Sequence, residues 1–269
     1  AMQRSIFSRA ALLSAASLIA NTTLFADGVA GYTNTPIVPG TTWHVHDPNR
    51  PQPRVVAPGE QFSQNANPPA DAMVLFDGKD FSKWESDKGE VRWKIQDGYM
   101  ETTKTGMIRT KDQFSDFQMH LEFATPEKVE GSGQGRGNNG VLILGRYEIQ
   151  VLDSFNNSTY PDGQASAIYG QTPPLVNASR GPGQWQTYDI IFEAPRWEDG
   201  KLVKKAYVTV LHNGVVVHHR REILGTTGHQ IAPVYGKPQE KGAIHLYEHG
   251  NPVRFRNIWI RSLGEYDKP

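Results

Sequence analysis

The stretch AYVTVLHNGVVVHH, residues 206–219, decides the fold class. Two runs rich in β-branched and aromatic residues flank Asn213-Gly214, and Asn-Gly is the pair that a two-residue hairpin turn favours because both positions take positive φ. This predicts a β-hairpin. FQMHLEFAT, residues 117–125, alternates strictly, with Phe117, Met119, Leu121 and Phe123 on one face and Gln118, His120 and Glu122 on the other. MVLFDGKD (73–80) and WKIQDGYMET (93–102) each end an apolar stretch in Asp-Gly, which marks tight turns. VLILGRYEIQVLD (141–153) reads as two strands around Gly145-Arg146, and WQTYDIIFEA, GAIHLYEHG and VRFRNIWIRSL complete the set. Ten or more short strands, almost no helical periodicity and no repeat predict an all-β jelly-roll sandwich of two antiparallel sheets.

Composition agrees with that class. The 26 Gly, 18 Pro and 10% aromatics favour strands and turns. The formal net charge is zero and no long basic run occurs, so neither nucleic acid nor a membrane is an expected partner, and a neutral or weakly charged ligand fits better. The chain has no cysteine, which excludes a disulfide framework and a cysteine nucleophile. Residues 1–30 carry Arg4 and Arg9, an apolar run from Ala10 to Ala20, then small residues at Ala26 and Gly28-Val29-Ala30. That order is the pattern of a signal peptide and implies a secreted or periplasmic protein. Residues 31–70 are rich in Pro, Asn and Gln and read as an extended arm, part of which packs through Trp43, Val45, Val55 and Val56. The sandwich is expected over 71–266.

Candidate chemistry centres on YEIQVLDS, residues 147–154. Parity puts Glu148 and Gln150 on one face, roughly 6.6 Å apart, while Asp153 joins them only through a β-bulge. The spacing is that of laminarinase-type glucanases, but Gln150 and Asp153 are not the residues a two-carboxylate retaining mechanism needs. GSGQGRGNNG (131–140) must be a loop; no helix or Lys-Ser/Thr end follows to make it a phosphate cradle, and Arg136, Asn138 and Asn139 could instead offer donors to ligand hydroxyls. His249, at a strand end before Gly250, is placed to face a pocket and titrates in the range useful for proton transfer. His44, His46 and Asp47 form at most part of a metal site and are expected at the surface, as are His218 and His219. Trp84, Trp93, Trp185, Trp197 and Trp259 are core fillers or sugar-stacking platforms.

Taken together, LFDGKDFSKW, WKIQDGYMETT, GMIRTKDQFSDFQMHLEF, RGNNGVLILGRYEIQVLDS and HGNPVRFRNIWIRSL resemble the 3-keto-disaccharide hydrolase domain family from about residue 71 to 263. VHDPNRPQPRVVAPG is similar to the arm of a secreted subgroup. The resemblance implies a concanavalin-A-like sandwich that cleaves glycosides oxidised at carbon 3. It also implies a site of Asn139, Glu148, Gln150, Asp153 and His249. Glu148 or His249 would transfer protons; Gln150, Asn139 and Arg136 would bind the sugar or its enolate; Asp153 would orient a neighbour or ligate a divalent cation. The last strand departs from the family's usual LQDHG, reading Leu246-Tyr247-Glu248-His249-Gly250. A non-catalytic carbohydrate-binding module and a laminarinase-like glucanase are the alternatives.

Overall fold

The computed structural model describes residues 30–265 and 267; apart from Ala30, the leader expected over 1–30 lies outside them. In chain order the strands are β1 (Arg54–Val55), β2 (Met73–Phe76), β3 (Trp84–Glu85), β4 (Lys94–Gln96), β5 (Tyr99–Glu101), β6 (Ile108–Thr110), β7 (Phe117–Ala124), β8 (Asn139–Ile143), β9 (Tyr147–Val151), β10 (Val176–Asn177), β11 (Gln186–Glu193), β12 (Arg196–Glu198), β13 (Lys201–Lys204), β14 (Tyr207–His212), β15 (Val215–Glu222), β16 (His245–Leu246) and β17 (Arg254–Ser262). One sheet runs β15-β14-β11-β7-β17-β5-β4 with β2 also on β17; the other runs β3-β6-β16-β8-β9. β14 and β15 form the expected hairpin, with Asn213 (φ 51°) and Gly214 (φ 80°) at its tip. The two antiparallel sheets make a concanavalin-A-like jelly-roll sandwich.

The core lies between the sheets. Phe117, Met119, Leu121 and Phe123 of β7 are fully buried against Val141 and Ile143 of β8 and Tyr147, Ile149 and Val151 of β9. Each such side chain contributes roughly 1.5–3 kcal/mol relative to exposure. Trp84, Trp93 and Trp259 are buried as expected, whereas Trp185 and Trp197 are only half-buried.

The polar face of β7 does not look onto water. His120 and Glu122 are fully buried because the arm crosses this face. The Asn65 N–H donates to Glu122 Oε1 at 2.6 Å, Asn257 Nδ2 donates to Glu122 Oε1 and to the Ala66 carbonyl at 3.0 Å each, and Ser63 Oγ donates to Asp189 at 2.7 Å. Arg256 Nε closes on Glu122 Oε2 at 2.8 Å. Burial alone would raise the Glu122 pKa, but the His120 ring 3.7 Å away and hydrogen bonds from Asn257, Asn65 and Arg256 hold it down to about 2. A carboxylate so depressed stabilises the fold above the unfolded-state pKa near 4.5 and loses that contribution as pH falls toward 2. Glu122→Gln should cost about 3 kcal/mol at neutral pH, since it leaves Arg256 and the arm's N–H without their charged partner. Urea unfolding from pH 7 to pH 3 checks this, because the gap between wild type and variant should narrow on acidification.

Candidate active site

The β8–β9 hairpin builds the site. Pairing is regular from Ile143↔Tyr147 to Asn139↔Val151, so Glu148 and Gln150 share the outer face, opposite Leu142 and Gly140. Tyr188 reaches through the core from β11 to donate its hydroxyl to the Gln150 carbonyl at 2.7 Å, fixing β9 against the large sheet. The segment after Pro161–Gly163 then runs beside β9: the Gln150 N–H donates to Ala167 O at 3.0 Å and the Tyr169 N–H to Glu148 O at 3.1 Å. On the far side of β8, the Tyr247 N–H donates to Gly140 O at 2.9 Å. Tyr169 and Tyr247 are thus set on either side of Glu148.

The Glu148 side chain folds across Gly140. A Cβ added at Gly140 would sit 2.9 Å from Glu148 Cδ and 3.0 Å from Cγ, so only glycine leaves the carboxyl its place. Gly140→Ala should keep the fold, because the obstacle is a movable side chain, yet lower kcat roughly 10- to 100-fold by displacing that carboxyl by about an ångström. Circular dichroism beside steady-state kinetics checks it.

Glu148, Gln150 and His249 line one cavity of about 420 Å³ with Gln134, Asn138, Tyr160, Tyr169, Thr227, Gly228, His229 and Tyr247. Glu148 is its only carboxylate among the described residues. Burial pushes the Glu148 pKa up to about 8. Tyr247 is raised by burial, and the Glu148 charge adds to it. His249 is exposed at the pocket's rim, and the partial desolvation of its ring lowers its pKa, an effect Glu248 only partly offsets. Its ring lies 5.5 Å from that of Tyr247. The Gln150 amide has two competing settings: its nitrogen donates to Gln134 Oε1 at 2.8 Å, or, turned over, to Glu148 Oε1 at 3.2 Å and Asn139 O at 2.9 Å. The first leaves Glu148 for substrate. In the second, the amide oxygen would face Gln134 Oε1, so that side chain must turn as well.

The opposite wall is aromatic and rests on the arm. Tyr160 and Tyr169 join hydroxyls at 2.9 Å, and Tyr169 OH lies 3.2 Å from His229 Nδ1. Behind them His46 is fully buried, its ring 4.1 Å from Tyr160 and stacked 5.2 Å from His229. Its N–H and Nδ1 meet the two oxygens of buried Asp162 at 2.9 and 3.2 Å, which holds its backbone at φ 62°. The surface placement expected of His46 and Asp47 is therefore wrong: the arm folds them in beneath the pocket wall. His218 is likewise buried, bonded to Ser166 O at 2.8 Å, while His219 is exposed.

Three candidate residues fall elsewhere. Strand β9 ends at Val151 without a bulge, and Asp153 lies beyond it, paired with Arg136 at 2.5 Å. This pair lines a neighbouring cavity of about 240 Å³, separated from the first at Gly137-Asn138 and His249-Gly250. Asn139 has core-side parity and is fully buried, its Oδ1 taken by the Gly140 N–H at 2.8 Å; Asn138 reaches the pocket instead. For a divalent cation the donors do not fit: among the described residues no three His, Asp or Glu side chains are grouped so as to hold a metal ion, and Arg136 occupies the Asp153 carboxylate.

The chain is thus a jelly-roll sandwich with a polar, tyrosine-walled pocket on its smaller sheet, a form that by itself fixes no activity. Residues 71–261 match the model of the 3-keto-α-glucoside-1,2-lyase-like domain, and the chain belongs to that family. It is similar to a 3-keto-disaccharide hydrolase of Bacteroides thetaiotaomicron, with 22% identity over 240 residues covering 72% of this chain and 80% of the relative. Among solved structures, a proposed glycosyl hydrolase of Parabacteroides distasonis aligns with a TM-score of 0.71 and 46% identity over 80% of this chain and 93% of its own. A second from that organism aligns at 0.54 and 25% identity over 71% and 99%.

Proposed function

We propose that the protein cleaves 3-keto-glycosides by elimination, with His249 as base and Glu148 as acid. The carrying observation is that the pocket holds one carboxylate, raised to about 8, beside an imidazole lowered below its ordinary range. A retaining glycosidase needs two carboxylates about 5–5.5 Å apart and an inverting one a pair somewhat wider. Elimination needs one base and one acid.

At neutral pH Glu148 is mostly protonated and His249 uncharged, so each is in the state its role requires. The C3 ketone acidifies the C2 proton. His249 takes that proton, and the enolate oxygen accepts hydrogen bonds from the amides of Gln150 and Asn138. Collapse of the enolate breaks the C1–O bond, Glu148 gives its proton to the departing oxygen, and a C1=C2 double bond conjugated to the ketone remains. Water adding across that bond completes hydrolysis.

Matched glycosides with and without the 3-keto group, followed for aglycone release, test the proposal. Turnover of the oxidised member alone is expected. Binding of both without turnover of either overturns it and makes the domain a carbohydrate-binding module; equal turnover of the unoxidised glycoside overturns it in favour of a conventional glycosidase.

A further inference from the structure

A third cavity, of about 660 Å³, opens where the arm meets β15 and the segment leading into β10. Arg50, Arg54 and Arg221 line it with His218 and His219, prolines from the arm and from residues 173–174 supply apolar walls, and no carboxylate among the described residues lines it. Arg50 is anchored by Nη1 to Gln171 O at 2.9 Å. The guanidinium groups of Arg54 and Arg221 make no hydrogen bond or ion pair among the described residues, and both side chains are exposed. Burial lowers the Arg50 pKa; Asp162 and Asp47 oppose this from behind, and Arg221 adds to it across the cavity. His218, lowered to about 4 by burial, also feels Arg221, and is uncharged at neutral pH.

Like charges gathered in one concavity repel each other unless an anion lies between them. A net charge of zero for the whole chain conceals this local excess. We propose that the cavity is a binding site for acidic saccharide, chain segments bearing carboxylate or sulfate groups, separate from the Glu148 pocket. Guanidinium groups match both anions with paired N–H donors. The proline rings offer apolar surface to sugar C–H faces, and the volume lies in the range of roughly 300–1,000 Å³ typical of small-ligand sites. Three cations gathered in one concavity are too few for a nucleic-acid backbone, which needs an extended basic stripe. The site would hold an acidic polymer against the enzyme while the pocket works on a glycoside.

Calorimetric titration of the full chain with tetragalacturonate, a heparin-derived tetrasaccharide and cellotetraose tests this, with a DNA duplex and phosphatidylserine vesicles as controls. Binding of either acidic tetrasaccharide, weakened by salt and absent for cellotetraose, is expected, and the two arms show which anion is preferred. Replacing both exposed arginines (Arg54→Ala with Arg221→Ala) should weaken that binding by more than about 10-fold, since it removes the two guanidinium groups free to pair with the anion, while 3-keto-glycoside turnover stays unchanged. The proposal is overturned if neither acidic tetrasaccharide binds, if cellotetraose binds as well, if the double variant binds as before, or if DNA or vesicles bind more tightly.

Discussion

Glu148→Gln should lower kcat on a 3-keto-glycoside with a poor leaving group about 10³-fold, some 4 kcal/mol of barrier. The fold should be unaffected. Glu148 is buried in its neutral form at neutral pH, and glutamine copies that shape. In wild type the acid is lost as pH rises through about 8, so activity must fall on the alkaline side. The variant should lack that limb. A glycoside whose leaving group departs unprotonated, such as a nitrophenolate, should recover most of the rate. A variant equally slow on both substrates, or one that keeps the alkaline limb, would remove Glu148 from the acid role.

His249→Ala should cost about 10²-fold or more in kcat and abolish the acid limb of the pH profile. That limb arises because the base must be unprotonated. Partial desolvation lowers its pKa below the ordinary histidine value, so activity persists into mildly acidic solution and fails as pH falls through that lowered value. Exchange of the C2 proton with deuterated solvent separates the two roles. His249→Ala should lose exchange, whereas Glu148→Gln should retain it, because the enolate still forms but cannot expel its leaving group. His229 is the other imidazole of the pocket, lowered by burial and by His46. If His229→Ala loses exchange and His249→Ala keeps it, the base is His229.

The pocket residues that were legible in sequence lie on regular strands or at their ends. Alternation in Tyr147–Val151 was enough to pair Glu148 with Gln150, whereas His249 lies in a bend three residues past the end of β16 and reaches the same cavity from there. Asn139 and Asp153 misled because each lies where local parity ceases to inform: Asn139 one residue off the outward face, and Asp153 past the last ladder bond in reach of Arg136. Tyr160, Tyr169 and His229 gave no local signal. They sit in segments without periodicity, placed by hydrogen bonds to β9 and by the buried His46–Asp162 contact, whose partners are 116 residues apart.

Hydrophobic alternation and turn chemistry act over a few residues, so the sequence by itself determined the strands, the hairpin at Asn213-Gly214, the sandwich class and the parity of Glu148 and Gln150. Only the tertiary structure decided what each outward face meets. It laid the arm over His120 and Glu122, put His46 behind the tyrosine wall and left Glu148 bare in its cavity. A polar side chain on an outer face reads the same in sequence whether water, another segment or an empty pocket covers it. Which of these it meets sets its desolvation, and desolvation is what moves Glu148 to about 8 while hydrogen bonds hold Glu122, also buried, near 2.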